Sequence, residues 1–455
     1  MCALLCATAL LLGGCSAFDT GGELFSLPKV AGFVTELQTE IDAVLAEGGE
    51  YAAPISGTNR QSVQMEDLDG DGVEEAILFI RTADALKICV FRQDEAGGYS
   101  RFAEVEGYGT NFDSIGYSDL IGDGRRELLV GISVGVGMPK ALSVVSLGDD
   151  GPKELLSATY TGYTALDLNG DGSRELIIAR HDAEYSSGVA EVYRFSDEDG
   201  KLEMDASTPL SAGISSLRRI KTGYLRDATP AVFITGLTSA DGSERMITDV
   251  CAYRDGSLVN VTLSPETGQS VEVVANVGAN GEDIDGDGVF DLPMPVILSS
   301  YNNRATNDVF RKIVWRNYTV DGVAQEVMQT FHNTSDGWYL VLPEAWKNAN
   351  LAVDRRSASN DERVIVFSIV SDEGEATPLL EIYSLTGENR ISRSKLPGRA
   401  VISNADTRTV ASTIYAVRLG DLAGTEFERY LPTVDEVAGS FKLIQTEWLT
   451  GELTS

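Results

Sequence analysis

The sequence predicts a mainly β fold, and three observations lead to that prediction. A short acidic loop recurs four times, as DLDGDGVEE, DLIGDGRRE, DLNGDGSRE and DIDGDGVFD. Each copy precedes an apolar run such as Ala76–Ile80, which is too short for a helix and is typical of a buried strand. The first three copies begin at Asp67, Asp119 and Asp167, and the fourth begins at Asp283. A period of about fifty residues indicates a propeller or another repeat array rather than one irregular core.

The repeat also predicts how many sheets the chain contains. After each acidic loop and its strand comes a second strand-like run, as at Ile88–Phe91 and Val192–Phe195. The wide gap before the fourth loop contains Tyr224–Asp227 and the apolar run Ala231–Ile234, which we interpret as a degenerate copy. Five units of about 55 residues result across 51–330, each long enough for a four-stranded blade. We therefore expect a β-propeller of about five blades, or six or seven if the flanking segments contain another.

The spacing inside each loop predicts a site for a hard cation. In most copies oxygen-bearing side chains stand at positions 1, 3 and 5, a glycine that permits a sharp turn stands at position 6, and an acid stands at position 9. With the backbone carbonyl at position 7, these groups form an oxygen ligand set of the kind that Ca²⁺ prefers. The predicted ligands are Asp67, Asp69, Asp71, Val73 and Glu75; Asp119, Asp123, Arg125 and Glu127; Asp167, Asn169, Asp171, Ser173 and Glu175; and Asp283, Asp285, Asp287, Val289 and Asp291.

The four copies are not equivalent. The first and the fourth contain four carboxylates each, and Asn169 in the third still offers an oxygen. Ile121 removes one ligand from the second loop, which we therefore expect to bind its ion most weakly. The alternative is that each Asp-Gly-Asp-Gly run merely forms a tight turn, which these residues favour. Four copies that share the ninth-position acid favour the cation site.

The pattern D-x-D-x-D-G-x-x-[DE] resembles the calcium hairpin loops of integrin-alpha and FG-GAP/VCBS-type β-propellers. It differs from an EF-hand, which places a bidentate Glu at position 12, where Leu78 stands in the first loop. The resemblance implies up to four structural Ca²⁺ ions and a protein of adhesion or recognition. The FG and GAP signatures themselves are absent from the sequence, so the resemblance does not imply a particular ligand.

The N-terminal residues predict export and a lipid anchor. Ala3–Leu12 is an apolar run too short to span a bilayer, and it ends in Leu12-Gly13-Gly14-Cys15. This segment resembles a bacterial lipobox, although the first basic residue, Lys29, follows the apolar run instead of preceding it. The resemblance implies a signal peptide at 1–14, a diacylated Cys15, and a protein held on the membrane in the bacterial cell envelope, outside the cytoplasm. The alternative is a plain secretory signal in which the cysteine is incidental.

The segment 15–50 is expected to contain the lipidated cysteine, a polar tether and an amphipathic helix. Apolar residues recur at helical spacing from Val30 to Leu45, and Gly48-Gly49 follow them. We expect this helix to pack on the repeats that come after it.

The segment 331–455 lacks the acidic repeat and predicts a small α+β domain. Strands are expected at 363–370, 379–385 and 413–419, and a helix at Val434–Ile444, where Thr433 and Glu436 form a capping box. The opening WYLVLPEAW and the closing helix resemble the small α/β domain of PsbP-type proteins.

Composition excludes some classes of partner. The formal net charge of −33 argues against nucleic acid and against direct binding to anionic lipid headgroups, because basic contacts dominate such binding. Cys89 and Cys251 occupy equivalent strand positions and predict buried thiols rather than a disulfide scaffold.

The sequence contains little that predicts catalysis. His181 and His332 are the only histidines, which makes a zinc site or a histidine-based triad hard to assemble. Six aromatic residues could stack on a ligand, but closing the blade cores is the favoured role. They are Tyr108, Tyr117, Tyr163, Tyr185, Tyr224 and Trp338.

We expect a non-enzymatic protein that binds an extracellular glycan or protein. A carbohydrate-active enzyme with its site in the funnel and an envelope assembly or scaffold factor are the alternatives.

Overall fold

The computed structural model describes residues 33–94, 97–240, 242–298, 309–359, 361–404 and 412–444. The predicted signal peptide and Cys15 lie outside the described residues. The first element is α1 (Phe33–Ala46). Its buried residues Leu37, Ile41 and Val44 pack against the first sheet, which confirms the expected amphipathic helix. None of the helices in these ranges is both long and apolar enough to cross a bilayer.

The first three sheets are antiparallel meanders that follow the predicted repeat. The first contains β1 (Glu50–Tyr51), β2 (Val63–Glu66), β3 (Glu75–Arg81), β4 (Leu86–Gln93) and β5 (Tyr99–Gly107). The second contains β6 (Asn111–Ser118), β7 (Glu127–Ser133), β8 (Lys140–Gly148) and β9 (Gly151–Tyr160). The third contains β10 (Gly162–Leu166), β11 (Glu175–Asp182), β12 (Ser187–Ser196) and β13 (Lys201–Pro209). The acidic loops join β2 to β3, β6 to β7 and β10 to β11, and the strand after each loop is buried over most of its length.

The next two sheets contain the degenerate copy and the fourth acidic loop. The fourth sheet contains β14 (Ile214–Tyr224), β15 (Pro230–Ala240), β16 (Ser243–Arg254), β17 (Ser257–Asn260) and β18 (Val273–Ala275). The fifth begins with β19 (Leu292–Ile297), β20 (Arg311–Tyr318), β21 (Ala324–Asn333) and β22 (Trp338–Val341). The turn after Tyr224 stands where an acidic loop would, which agrees with a degenerate copy.

The C-terminal segment forms a sixth sheet and completes the fifth. The sixth sheet contains β23 (Leu351–Ser359), β24 (Glu362–Val370), β25 (Ala376–Leu385), β26 (Ala400–Asn404) and β27 (Ile414–Leu419), with β27 between β25 and β26. The short helices are α2 (Arg390–Ser394) and α3 (Val434–Ser440), with 3-10 turns at Glu344–Trp346 and Glu428–Tyr430. The expected capping box of Thr433 and Glu436 is present on α3. The helix ends four residues before its predicted end, because Phe441 begins β28 (Phe441–Leu443), which pairs with β22.

Successive sheets pack face to face around shared apolar cores. Phe79 of the first sheet contacts Phe112 of the second, with ring centroids 5.3 Å apart. Separate buried clusters join the second to the third sheet, the third to the fourth, the fourth to the fifth, and the fifth to the sixth. Antiparallel sheets, most of them meanders, packed face to face in chain order are the architecture of a β-propeller. The described residues form six sheets, so the sixth blade comes from the C-terminal flank, one of the possibilities that the repeat count leaves open.

The fifth and sixth sheets share the largest core. Trp338 of β22 and Phe367 of β24 both pack against Phe331 of β21, at centroid distances of 6.0 and 5.0 Å. The boundary predicted between residues 330 and 331 falls inside β21, and β22 and β28 extend the fifth sheet beyond it. The α+β segment at the C-terminus is therefore packed into the last repeat.

Candidate metal centres

The four acidic loops share one backbone geometry. In the first, Asp67 Oδ1 accepts from Gly70 N at 2.8 Å and Asp67 Oδ2 accepts from Gly72 N at 3.0 Å. Asp119, Asp167 and Asp283 accept from the matching glycines in the same way. Gly70 and Gly72 have φ values of 75° and 88°, a region that side chains other than glycine rarely adopt. The two carboxylate oxygens of the first Asp therefore hold the backbone of each loop in its turn through hydrogen bonds.

The acid at the ninth position is buried in every copy. Glu75 is 2% exposed, and Glu127, Glu175 and Asp291 are fully buried. One oxygen of each accepts from the backbone N–H at the second position, as Glu75 does from Leu68 at 2.8 Å. Burial is the main cause that raises the pKa of Glu127 and of Asp291 to about 7, and it also raises the pKa of Glu75 and Glu175. A nearby cation would favour the charged form of all four.

Carboxylates converge most closely in the first and fourth loops. The ligand oxygens of Asp67, Asp69 and Asp71 all lie within 4.8 Å of one another, as do those of Asp283, Asp285 and Asp287. The Asp at the fifth position of every loop accepts from the backbone N–H of the seventh residue, at 2.7 Å in the first loop. The carbonyl oxygens of the seventh residues, Val73, Arg125, Ser173 and Val289, stay predicted ligands.

The loops of neighbouring sheets touch one another. Arg126 N donates to Leu68 O at 2.8 Å, which ties the second loop to the first. Phe290 N donates to Tyr224 O at 2.9 Å, which ties the fourth loop to the degenerate turn. A methyl group on Gly70 would lie 2.5 Å from Gly124 O, so these two loops meet backbone to backbone. The acidic loops therefore lie at the same end of adjacent sheets.

Sequence reasoning missed a residue that faces each ninth-position acid from the next strand. Arg92 on β4 lies beside Glu75, with Nε 3.6 Å from Oε1, and its Nη2 is 2.9 Å from Asp69 Oδ2. Arg194 on β12 takes the same place in the third loop, where it pairs with Asp171 and lies 3.4 Å from Glu175 Oε1. The strand register explains both contacts. Ala76 lies opposite Phe91 and Leu176 lies opposite Tyr193, which puts each arginine opposite the ninth-position acid of its loop. Each of these arginines directly follows an aromatic residue, but Arg316 follows Trp315 on β20 and pairs with Glu272 instead, so the pattern alone does not identify the facing residue.

The corresponding residues of the other two loops are uncharged. Ser146 on β8 faces Glu127, and Asn317 on β20 faces Asp291, and each favours the charged form of its carboxylate. Glu127 Oε1 and Asp291 Oδ1 are buried without a hydrogen-bond partner among the described residues. A buried carboxylate oxygen without a hydrogen-bond partner, in a loop whose other candidate ligands are oxygens, fits a hard divalent cation. The cation would be the partner that this oxygen lacks.

The two histidines do not form a metal or catalytic site together. His181 lies on β11, and its Nε2 is 2.8 Å from Ile214 O. His332 lies on β21, where burial lowers its pKa to about 4, and its ring stacks on Tyr339 at 5.0 Å. They belong to the third and fifth sheets. Cys89 and Cys251 are both free and buried, as expected, and burial raises the pKa of Cys89 to about 11.

The six candidate aromatic residues divide between core and surface. Tyr163 and Trp338 are buried, and Tyr117 is half-buried with its hydroxyl donating to Gln64 Oε1 at 2.7 Å. Tyr108 and Tyr185 are each 73% exposed, and Tyr224 is 49% exposed. Core packing is thus the role of only some of them.

Comparisons with known proteins give distant likenesses to solved structures. No family model matches the chain, and no curated protein matches it. The chain is similar to a structure titled Dos1 propeller, at 10% identity over 82% of each chain, with a TM-score of 0.29. It is also similar to an endo-arabinase from Bacteroides thetaiotaomicron, at 14% identity over 61% of this chain and 95% of that one, with a TM-score of 0.28. The exotype rhamnogalacturonan lyase YesX is 13% identical over 72% of each chain, with a TM-score of 0.28.

Proposed function

We propose that this protein is a calcium-stabilised β-propeller that recognises a glycan or protein ligand outside the cytoplasm, held at the membrane by a lipid on Cys15. The observation that supports the calcium part is the shared geometry of the acidic loops. Each folds around its first Asp and buries a ninth-position acid, in the order that oxygen-ligand loops use.

The role of calcium is structural. The loops contact the loops or turns of neighbouring sheets, so an ion that draws the carboxylates of one loop together also fixes the end of that sheet against the next one. Affinities of about 10⁻⁴–10⁻³ M are typical of extracellular modules, and such sites stay filled outside a cell.

Thermal unfolding tests this role. The purified protein should melt at a lower temperature in EGTA than in millimolar Ca²⁺, because an ion bound to the folded state alone stabilises it. Adding Ca²⁺ back should restore the original Tm. An unchanged Tm under chelation and restoration would contradict structural calcium sites.

Exposed apolar side chains at the opposite end of the sheets support a recognition surface. In an antiparallel meander, the loop that joins the second and third strands leaves from the end away from the acidic loop. Val134, Val136 and Met138 in the loop between β7 and β8 are exposed, as is Tyr185 in the loop between β11 and β12. Tyr108, between β5 and β6, lies at the same end. Loops placed by a rigid scaffold often form binding sites.

A glycan and protein array tests recognition. The labelled protein should bind a restricted set of ligands, and the double variant Tyr108→Ala, Tyr185→Ala should lose most of that binding. Tyr224→Ala is the matched control, since Tyr224 is an exposed tyrosine at the acidic-loop end of the fourth sheet. Equal binding by the double variant and the control would contradict a ligand surface at this end.

Metabolic labelling with a fatty acid tests the anchor. The chain should incorporate label and fractionate with membranes, while Cys15→Ser should stay unlabelled and enter the soluble fraction. Label in the serine variant would contradict lipidation at this cysteine.

A further inference from the structure

The four acidic loops fall into two classes according to the residue that faces the ninth-position acid. An arginine faces it in the first and third loops, and an uncharged side chain faces it in the second and fourth. A guanidinium and a divalent cation satisfy the same carboxylates, so the two compete for one place.

In the first loop the arginine is held firmly. Arg92 lies over the ring of Phe102 at 3.7 Å, and its guanidinium nitrogens approach Asp69 and Glu75. The cation–π contact and the ion pairs orient the side chain together. A divalent cation entering among these carboxylates would meet a fixed positive charge.

In the third loop two side chains donate hydrogens where a metal site needs acceptors. Arg194 pairs with Asp171 and lies 3.4 Å from Glu175 Oε1. Asn169 Nδ2 donates to Asp171 Oδ2 and to Glu175 Oε1, at 3.0 Å each. The carboxylates of this loop are already satisfied from within the chain.

The fourth loop has the opposite character. Its four carboxylates have no arginine at the cross-strand position, where Asn317 stands, and Asp291 is fully buried. Asp291 Oδ1 has no hydrogen-bond partner among the residues that the structure describes, and the negative charges of Asp285 and Asp287 act on this acid. A bound cation would stabilise a buried carboxyl oxygen that has no hydrogen-bond partner and lies beside further carboxylates.

We infer that the fourth loop is the principal Ca²⁺ site, and that Arg92 and Arg194 take the place of the ion in the first and third loops. The second loop, with three carboxylates, Ser146 at the cross-strand position and an orphaned Glu127 Oε1, binds an ion more weakly than the fourth. This inference rests on the proposed function and lowers the number of bound ions from the four that the sequence predicts to two. It also places the second loop above the first and the third in affinity, whereas ligand number alone predicts that the second loop binds its ion most weakly.

Calorimetric titration with Ca²⁺ tests the inference on a matched pair of variants. Asp287→Asn and Asp71→Asn each remove one charge from the fifth position of a four-carboxylate loop. Asp287→Asn should weaken the tightest site by tenfold or more, and Asp71→Asn should leave it unchanged. The unaltered protein should bind two ions, of which one is tighter.

Removing the arginines should create sites. Arg92→Ser places in the first loop the residue that the second loop carries, and it should add one bound ion. Arg180→Ser is the control, because Arg180 pairs with Glu191 at 2.8 Å on the third sheet and is not the residue facing the loop. Circular dichroism would check that each variant is folded. If a variant does not fold, the number of ions bound by the unaltered protein still tests the inference.

The outcomes separate the inference from the proposed function. Three or four ions in the unaltered protein, or a tightest site lost in Asp71→Asn and kept in Asp287→Asn, would overturn the inference and leave the calcium-stabilised propeller standing. No calcium binding at any loop would overturn both.

Discussion

At the scale of single residues, glycines determine whether the acidic loops can fold. Gly70 and Gly72 both have positive φ, but only Gly70 lies against a neighbouring backbone, where an added methyl group would meet Gly124 O at 2.5 Å. Gly72 has nothing within 4 Å of the same position. Substituting Gly72 therefore tests backbone strain alone, and substituting Gly70 tests backbone strain together with a steric clash between loops.

The pair gives a prediction for stability. Gly72→Ala should cost about 1–2 kcal/mol of unfolding free energy through its positive φ alone. Gly70→Ala should cost more, because two loops must also move apart. Urea unfolding in the presence of Ca²⁺ measures both. Equal losses would show that the first and second loops do not meet as described.

His332 predicts a dependence of stability on pH. Burial lowers its pKa from 6.5 to about 4 in the folded protein, so between these values the unfolded chain binds more protons. Its neutral ring therefore contributes stability that is present above pH 6.5 and is lost as the pH falls toward 4. We expect a loss on the order of 1–3 kcal/mol across this range.

The variant His332→Gln isolates this contribution. Glutamine can still bond to Thr330, whose Oγ1 is 2.9 Å from His332 Nε2, but it does not titrate. The difference in unfolding free energy between the two proteins should shrink as the pH falls from 7 to 4. A constant difference would contradict the lowered pKa.

At the scale of elements, β28 shows why the last strands were hard to predict. Val434–Ile444 has a capping box and an apolar pattern, both of which favour a helix through residue 444. The helix stops at Ser440, because Phe441 enters the core beside Trp338 and Tyr415, at centroid distances of 5.5 and 5.0 Å. This pairing joins residues about one hundred positions apart, and local pattern does not contain that information.

Phe441 should therefore contribute far more stability than its position near the C-terminal end suggests. Phe441→Ala should cost about 3–5 kcal/mol, as large-to-small changes in a core do. Leu443 lies on the same strand and is 46% exposed, so Leu443→Ala should stay within about 0.5 kcal/mol of the unaltered protein. Comparable small losses in both variants would contradict the docking of β28.

The acidic loops and the strands that follow them were predictable because both signals are local. Asp67 to Glu75 specify turn and ligand positions by spacing, and the apolar run that follows specifies a buried strand. Arg92 and Arg194 were not found, since the residue that faces a loop depends on the register of the next strand. Register is fixed by the assembled sheet rather than by the sequence around the arginine.

At the scale of the whole molecule, the shared cores make the sheets dependent on one another. Phe331 contacts both Trp338 of the fifth sheet and Phe367 of the sixth, so the C-terminal segment and the repeats bury one surface. The sequence indicated a change of character near residue 331 because the repeat period stops there. The apolar packing continues past that point, and periodicity does not report it.

This sharing predicts that the last two sheets unfold together. A fluorescence signal from the core tryptophans Trp315, Trp338 and Trp346 should change in one transition with the far-ultraviolet circular dichroism of the whole chain. Two well-separated transitions would contradict a common core between the fifth and sixth sheets.

The most direct test of the account is a crystal grown with Ca²⁺ and measured for anomalous scattering. We predict a peak inside the fourth loop, with oxygen atoms of Asp283, Asp285, Asp287 and Asp291 at about 2.3–2.6 Å from it. A map in which none of the acidic loops contains a peak, at millimolar Ca²⁺, would contradict the claim that these loops hold calcium.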